Sequence, residues 1–519
     1  MFSHIVFFGG LYLLYGAIGR FIRGCFIAKL TALNEFAEIG SKSTRKSHKL
    51  HGTAVVCGGS ISGLLTAKVC SDHFENVTIV EAEEWVTKPK GYTGSHRKEL
   101  ADKKRSHVSQ YTAIHSFQSL LIATILKWFP NLNEECEKVG ARPGFETLLR
   151  RLIMHSCENV RYLAGTALGL EQASGSDQVT GVHIRTAEGK RVTLSAALVI
   201  DCTGASSSGL RWLKDLAAVA GNEKALEKLN NLRQTYNPKQ SYYTCEFKVS
   251  PEAVSRLSEV GYPGDWDSSG VIFANFVDSK LDNKLLGIEI KDNNYLHFVL
   301  GGWSVTEEVS NMQDIRSFIN SFKVYKPLPV WIWTMLDVLE EYNVPLSIEY
   351  SRVASYIQYN LYNLMPSNFI AIGDSVMRLN PIRGTGCVKA CVEVLTLNGI
   401  LNGCTAQKGT EGSTGLPEDF SKRFCELQAS RTSSEWNAYK AEDYAWTTTI
   451  PSKGEDPQIF GKSHRAFSRL IIQTALNDKE FAVTLGCVRG FMAPSTDLLT
   501  PKMLWKLFKV KLLHKSPML

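Results

Sequence analysis

The stretch "VVCGGSISGLL", Val55 to Leu65, passes from a β-branched apolar segment through small residues into a second apolar segment of helical character. This is the sequence form of a strand, a tight turn and a helix. Gly58, Ser60 and Gly63 fill the three glycine positions of the spacing G-x-G-x-x-G, with serine in the middle one. The first position permits the tight turn, the second lets the backbone approach a pyrophosphate, and the third lets the helix pack closely on the strand. The N–H groups at the helix start would hold the phosphate charge. Ser60 adds a Cβ, but its hydroxyl can itself donate to phosphate. A second strand, "NVTIVEAEEW", carries Glu81, 18 residues after Gly63. A carboxylate at that place accepts hydrogen bonds from an adenosine ribose.

The totals bound the rest. At 519 residues, 44% hydrophobic and 21% charged, the chain has ordinary globular composition and room for two or three domains. Its net charge of +7 comes with no Lys/Arg run among aromatics, so no nucleic-acid partner is expected. Twelve cysteines form no C-x-x-C pair and no zinc-spaced block, which fits reduced thiols in a cytosol-facing protein and no metal site. An apolar stretch from Ile5 to about Ile18 is followed by Arg20, Arg23 and Lys29. A bilayer span needs roughly 20 apolar residues, reached here only if Phe21 and Ile22 are included and Arg20 snorkels. The segment is expected to be a membrane anchor with the downstream charge holding the remainder in the cytosol, at the endoplasmic reticulum. A signal-like segment and a buried or interfacial helix are the alternatives. At the other end, Lys502, Lys506 and Lys509 share a stripe of a basic amphipathic helix, suited either to an anionic membrane surface or to packing on the body.

The order of parts gives the domain plan: 1–30 the anchor segment, 31–52 a polar linker, and 53–220 a first nucleotide-binding part closing in a meander and an apolar strand. An antiparallel sheet of alternating strands is placed within 221–350, with "LLGIEIKDNNYLHFVLGGW" as its clearest hairpin. Residues 351–403 return to an apolar strand, a long turn and a helix, and 404–519 are mainly helical. The first and last α/β parts are thus expected to form one domain interrupted by another.

The returning segment, "AIGDSVMRLNPIRGTGCVKA", combines Gly373-Asp374 with Asn380-Pro381, Gly384 and Gly386. On these residues the chain resembles the flavin-dependent monooxygenases of the glutathione-reductase-like FAD fold, which include aromatic hydroxylases, squalene epoxidase and flavin halogenases. Asp374, Pro381, Gly384 and Gly386 match the family's Gly-Asp, Pro and G-x-G positions. Met377 stands where the family has His, and Asn380 where it has the first Pro. The Asn-Pro form is similar to the squalene-epoxidase and halogenase branches. The pattern from Trp436 to Asp443 and from Thr447 to Pro451 resembles fungal secondary-metabolism members.

What the resemblance implies is an α/β (mixed α+β) fold with FAD as cofactor and NADPH or NADH as transient reductant. O2 and a small hydrophobic substrate would be its other partners. It places Asp374 on the ribityl chain, and Asp201 and Gly204 of "DCTG" at a strand end near the cofactor. Arg142 would begin a helix beside the flavin, and Arg105 and Gln110 would meet the pyrophosphate and ribityl. Independently, backbone N–H groups at Gly386, Cys387 and Val388 on a helix start would stabilise negative charge on a reduced ring. Tyr242, Tyr243, Phe247, Phe273, Phe276, Phe298 and Trp303 either line an apolar pocket or are core, the second being the expectation for each alone. Halogenases carry W-x-W-x-I-P, but Trp331-Ile332-Trp333 lacks the Ile-Pro, so halogenation is not expected. The expected activity is hydroxylation or epoxidation of an aromatic, polyketide or terpenoid substrate in secondary metabolism. A flavin-dependent reductase or dehydrogenase, and a non-catalytic flavin-binding protein, are the alternatives. No catalytic side chain is assigned.

Overall fold

The computed structural model describes residues 17–40, 49–89, 105, 117–132, 142–173, 175–275, 277–291, 294–324, 327–341, 346–350, 353–404 and 415–513. Strand β1 (Leu50–Cys57) buries Ala54 to Cys57 on both faces, as a central parallel strand must. Helix α1 (Ile61–His73) is buried everywhere except at Ser62 and Asp72, so it has no polar face to read from periodicity. Strand β2 (Phe74–Glu81) returns parallel beside β1. Helix α2 (Arg142–Ser156) precedes the meander β3 (Val160–Gln172), β4 (Val179–Thr186) and β5 (Arg191–Ser195). Then come β6 (Leu198–Asp201) and helix α3 (Ser208–Val219).

The middle of the chain supplies β7 (Arg233–Tyr236), β8 (Gln240–Lys248), β9 (Val271–Ala274), β10 (Lys284–Lys291), β11 (Tyr295–Trp303) and β12 (Leu346–Tyr350). After β13 (Ala354–Ile357), β14 (Phe369–Ala371) and β15 (Met377–Arg378) the chain enters helix α4 (Gly386–Gly403) and, later, helix α5 (Phe420–Asp443).

The first sheet has the order β14-β6-β1-β2-β3-β4-β5. Its β14, β6, β1, β2 and β3 run parallel, and β3 to β5 form the antiparallel meander. Placing β14 at the edge beside β6 carries the late segment back to the first turn. The second sheet, β12-β8-β11-β10-β9, is antiparallel throughout. One face presents Cys245, Phe247, Ile288, Ile290, Leu296, Phe298 and Leu300 to a core shared with the helices Pro251–Ser258, Met312–Asn320 and Val330–Leu339. By the two-residue alternation of strands, Tyr242, Thr244, Glu246, Leu285, Glu289, His297, Val299 and Trp303 share the other face. A third sheet, β15-β13-β7, joins the two.

Of the aromatics considered as pocket lining, Tyr243, Phe247 and Phe298 are core and Phe273 packs against that core. Tyr242 and Trp303 lie on the opposite face, and Phe276 falls outside the described residues.

Among the described residues no helix is long and apolar enough to cross a membrane. This corrects the expectation of a membrane-anchored chain at the endoplasmic reticulum; residues 1–16 lie outside the described set. The helix 17–30 is tied to the body instead. Arg431 donates to the Ala28 carbonyl at 3.0 Å, Ser430 to the Lys29 carbonyl at 2.9 Å, and Arg23 pairs with Asp497 at 2.8 Å. The terminal helix Pro501–Leu513 packs Met503 and Leu507 against Phe481 and Leu498, with Lys506 paired to Asp478 and Glu480.

The tightest joint in the first sheet is at Gly63, where a Cβ would come within 1.8 Å of the Gly58 carbonyl oxygen. Gly63→Ala is therefore expected to destabilise the fold by roughly 3 kcal/mol or more. Gly486→Ala, at a helical glycine whose added Cβ would meet nothing within 4 Å, should be neutral or stabilising by about 1 kcal/mol. Urea unfolding of the two variants against the parent measures the contrast.

Candidate cofactor and substrate site

The first turn adopts the conformation its glycines allow. Gly58 has φ of +116°, and a Cβ there would sit 2.3 Å from the Cys202 carbonyl oxygen. Ser60 is the N-cap residue of α1, yet no side chain caps the helix. Its hydroxyl donates to Glu146 Oε2 at 2.8 Å. The first N–H groups of α1 thereby receive no cap from the Ser60 side chain, the arrangement in which a helix start receives an anion.

Glu81 is buried at the end of β2. Its Oε2 accepts from the Gly59 N–H at 2.9 Å and its Oε1 from the Glu83 N–H at 3.0 Å. Arg105 reaches into the same place and pairs with Glu81 at 2.7 Å, with Glu83 at 2.7 Å, and with Glu146. Glu146 also accepts from Arg150 at 2.8 Å. Three carboxylates around one buried guanidinium raise its already high pKa further, against the opposing effect of burial. Arg142 is the first residue of α2, its side chain lying outside what is described, as does Gln110 altogether.

The late segment meets this turn directly. Gly373 has φ of +79°, and a Cβ on it would lie 2.9 Å from the Cβ of Ser62 in the first turn of α1. Its peptide is gripped from α4. The Gly373 N–H donates to Glu393 Oε2 at 2.6 Å, and Lys389 Nζ donates to the Gly373 carbonyl at 3.0 Å and pairs with Glu393 at 3.3 Å. Burial raises the Glu393 pKa, and Lys389 opposes the rise. Asp374, next in the chain, is exposed while Gly373 and Ser375 on either side are buried. Asp201 is turned inward instead: its carboxylate accepts from the Thr203 N–H and hydroxyl and from the Gly209 N–H, and its carbonyl accepts from Ile372 and Ser375. Gly204 follows at φ of +65° on a half-exposed turn.

Pro381 opens a short 3-10 turn that ends at Gly384, whose φ of +64° is left-handed. Gly386 begins α4 with open space where a Cβ would stand, and Cys387 is half-buried beside it. Thr385 is the N-cap residue, and again no side chain caps the helix. Its hydroxyl is bonded to the Tyr439 hydroxyl of α5. Both helix starts are thus uncapped for the same reason, an N-cap hydroxyl diverted to a neighbouring element.

Behind the turn, Asp443 at the end of α5 collects three donors: Asn380 at 3.0 Å and Trp303 at 3.1 Å on Oδ1, and Tyr236 at 2.8 Å on Oδ2. Trp303 stacks on Trp446 with ring centroids 3.7 Å apart. Burial raises the Asp443 carboxyl to about 6 although all three donors and Arg383 act to lower it. Lys389, Glu393, Glu146 and Asp443 went unread in the sequence. The Lys389/Glu393 pair, four residues apart inside an otherwise apolar helix, was the one signal present.

No protein-family model matches this chain, and no curated protein matches it. Among solved structures, the flavin-dependent brominase Bmp2 superposes on 90% of this chain and 100% of its own, with a TM-score of 0.53 and 12% identity. A flavoprotein/dehydrogenase from Cytophaga hutchinsonii covers 89% of this chain and 99% of its own, with a TM-score of 0.49 and 11% identity. The first likeness shows the fold: the mixed α/β architecture that the flavin-dependent brominase shares.

Two outcomes follow from the buried charges. Arg105→Met removes the guanidinium shared by Glu81, Glu83 and Glu146 and should cost roughly 3–5 kcal/mol at neutral pH. The carboxylates then resist ionisation in the folded state, so the variant's deficit should shrink as pH is lowered, in pH-dependent urea unfolding. Asp443, with its folded pKa raised from 3.8 to about 6, contributes stability that is present below 3.8 and lost as pH rises through 6. Asp443→Asn should flatten the stability profile across that window.

Proposed function

We propose that the chain is an FAD-dependent monooxygenase that uses NAD(P)H and O2 to hydroxylate or epoxidise a hydrophobic aromatic, polyketide or terpenoid substrate. The observation that carries it is the pair of uncapped helix starts, at α1 and α4, joined through the Gly373 peptide with exposed Asp374 beside them. An extended dianionic cofactor with a polar chain between two rings fits that spacing of features. Gly58, Ser60 and Gly63 with the α1 start would hold its pyrophosphate, Glu81 its ribose, and Arg142 would begin the helix beside the flavin. Asp374 would hold the ribityl and Arg105 and Gln110 would meet the pyrophosphate and ribityl, with Asp201 and Gly204 at the strand end near the cofactor. Pro381, Gly384, Gly386 and Cys387 would border the ring. Bound FAD supplies electron acceptance from NAD(P)H and reaction with O2. The protein's part is to place the substrate, exclude water and offer the α4 N–H groups to developing negative charge.

Halogenation, the activity in the brominase's name, is not favoured here. Trp331 and Trp333 lie on the helix Val330–Leu339 and pack against the apolar core of the second sheet.

The test is an absorbance scan of purified protein for the two flavin bands, then anaerobic NADPH addition and oxygen uptake with candidate substrates. Asp374→Ala should weaken FAD binding by about tenfold or more through loss of a charged hydrogen bond, and Glu81→Ala comparably. Full flavin occupancy in both variants would sink the site assignment. Product reduction without oxygen uptake would replace oxygenation with a reductase activity, and a flavin that NADPH never reduces would point to a binding protein.

A further inference from the structure

The face of the second sheet turned away from its helical core changes character along its length. Nearest the cofactor turn stands Trp303, which shares Asp443 with Asn380. Next comes a small apolar patch of Tyr242, Val299 and Leu285. Beyond it lies a polar row across three strands, Glu246 on β8, His297 on β11 and Glu289 on β10, directly opposite one another in register. Lys291 pairs with Glu289 at 3.5 Å, and Lys248 occupies the same face of β8 one row on.

His297 is only 1% exposed. Its Nε2 lies 2.7 Å from Glu246 Oε2, and because a carboxylate accepts, Nε2 carries the hydrogen. Burial, with Lys291 nearby, lowers the His297 pKa to about 4 against the pull of Glu246, so the ring is neutral at physiological pH. Nδ1 is then a bare lone pair, fully buried and without a hydrogen-bond partner. Thr244 Oγ1, on the adjacent strand, is also buried and without a partner. Thr244 stands opposite Val299, so it is the diagonal neighbour of His297, about 7–8 Å away between Cα atoms. A buried polar atom left unpaired costs on the order of 1–3 kcal/mol. Two of them on diagonally adjacent residues, one an obligate acceptor and the other able to donate, carry the two complements of a hydroxyl group.

We propose that His297 and Thr244 form a hydroxyl-recognition site that fixes the far end of an extended, largely apolar substrate. The substrate hydroxyl donates to His297 Nδ1 and accepts from the Thr244 hydroxyl, while Glu246 holds the imidazole in the required tautomer. From His297 to Trp303 the strand rises roughly 20 Å, so the apolar body crosses Tyr242, Val299 and Leu285 and the opposite end reaches the cofactor turn. Only the fate of that reacting end rests on the monooxygenase proposal. His297 and Thr244 are specificity residues, remote from the reacting atoms.

The matched probes are 4-nonylphenol and its methyl ether, which differ in the donor hydrogen. Equilibrium dialysis against the full chain, with flavin occupancy read in the same samples, gives both affinities. The phenol is expected to bind the parent at least about tenfold more tightly than the ether. His297→Ala should bring that ratio to within about twofold, and His297→Asn, whose Oδ1 restores an acceptor near the Nδ1 position, should recover part of it. Thr244→Val should weaken both probes by about fivefold or more, since each offers an oxygen to the Thr244 hydroxyl, and leave their ratio and the ligand-free stability unchanged. Equal affinities in the parent, no binding of either probe, a ratio indifferent to His297→Ala, or affinities indifferent to Thr244→Val would each overturn the proposal. A chain that keeps the ratio but holds no flavin would leave it standing and overturn the monooxygenase proposal instead.

Discussion

The structure depends on the peptide at Gly373. It has Ser62 against its α-carbon, Glu393 accepting its N–H and Lys389 donating to its carbonyl, so two segments distant in sequence are fixed on one another. The ion pair that does this is almost wholly buried. Buried pairs gain little net stability over apolar replacements, because desolvation offsets attraction, but breaking one leaves a costly unpaired charge. Its value here is positional. Backbone groups that must be satisfied accept only one placement, and that placement pushes Asp374 outward beside the first turn of α1.

How far the sequence foretold this depended on whether a residue's role was local. Gly58 and Gly63 were legible because the constraint on each is steric and set by its neighbours in the same strand-turn-helix unit, and the clashes a Cβ would meet bear this out. Gly384 was named from the resemblance, and its left-handed φ supplies a local reason for glycine that the pattern alone did not state. The alternation of β8, β10 and β11 marked them as strands but not their two faces: both faces are largely buried, and Tyr242 and Trp303, each expected to be core, lie on the face opposite Phe247 and Phe298. Ser60 was read as a hydroxyl available to phosphate, whereas it donates to Glu146, a residue on a different helix that no local pattern marks. Asp443 lay within a stretch singled out only for its resemblance, and its link to Asn380, Trp303 and Tyr236 exists only once three elements have folded together. The N-terminal segment was misjudged because hydropathy weighs side chains and not partners. Carbonyls at Ala28 and Lys29 are claimed by Arg431 and Ser430 of the body.

The charges around the first turn impose a division of labour. Glu81, Glu83 and Glu146 outnumber Arg105 and Arg150, with which they are paired. Such a cluster cannot attract a pyrophosphate by net charge. On the proposed cofactor reading, attraction would come from oriented dipoles, which the start of α1 offers. Diverting the Ser60 hydroxyl to Glu146 serves both ends: it adds a donor to a crowded carboxylate and leaves the helix N–H groups without a cap from the Ser60 side chain.

The same economy recurs at α4 and links cofactor turn to substrate sheet. Tyr439 takes the Thr385 hydroxyl, while Asp443, one turn further along the same helix, takes Asn380 and Trp303 on a single oxygen. Asn380 in turn accepts from the Ile382 N–H within the turn. A shift of the sheet edge at Trp303 therefore cannot leave the 380–385 turn unmoved without breaking a bond to a buried carboxylate, the kind whose loss is expensive. Helix α5 acts as the rigid strut of this connection, and the sheet face that carries Trp303 is held in fixed register with the start of α4. Any substrate lying along that face is positioned by the same carboxylate that positions the turn.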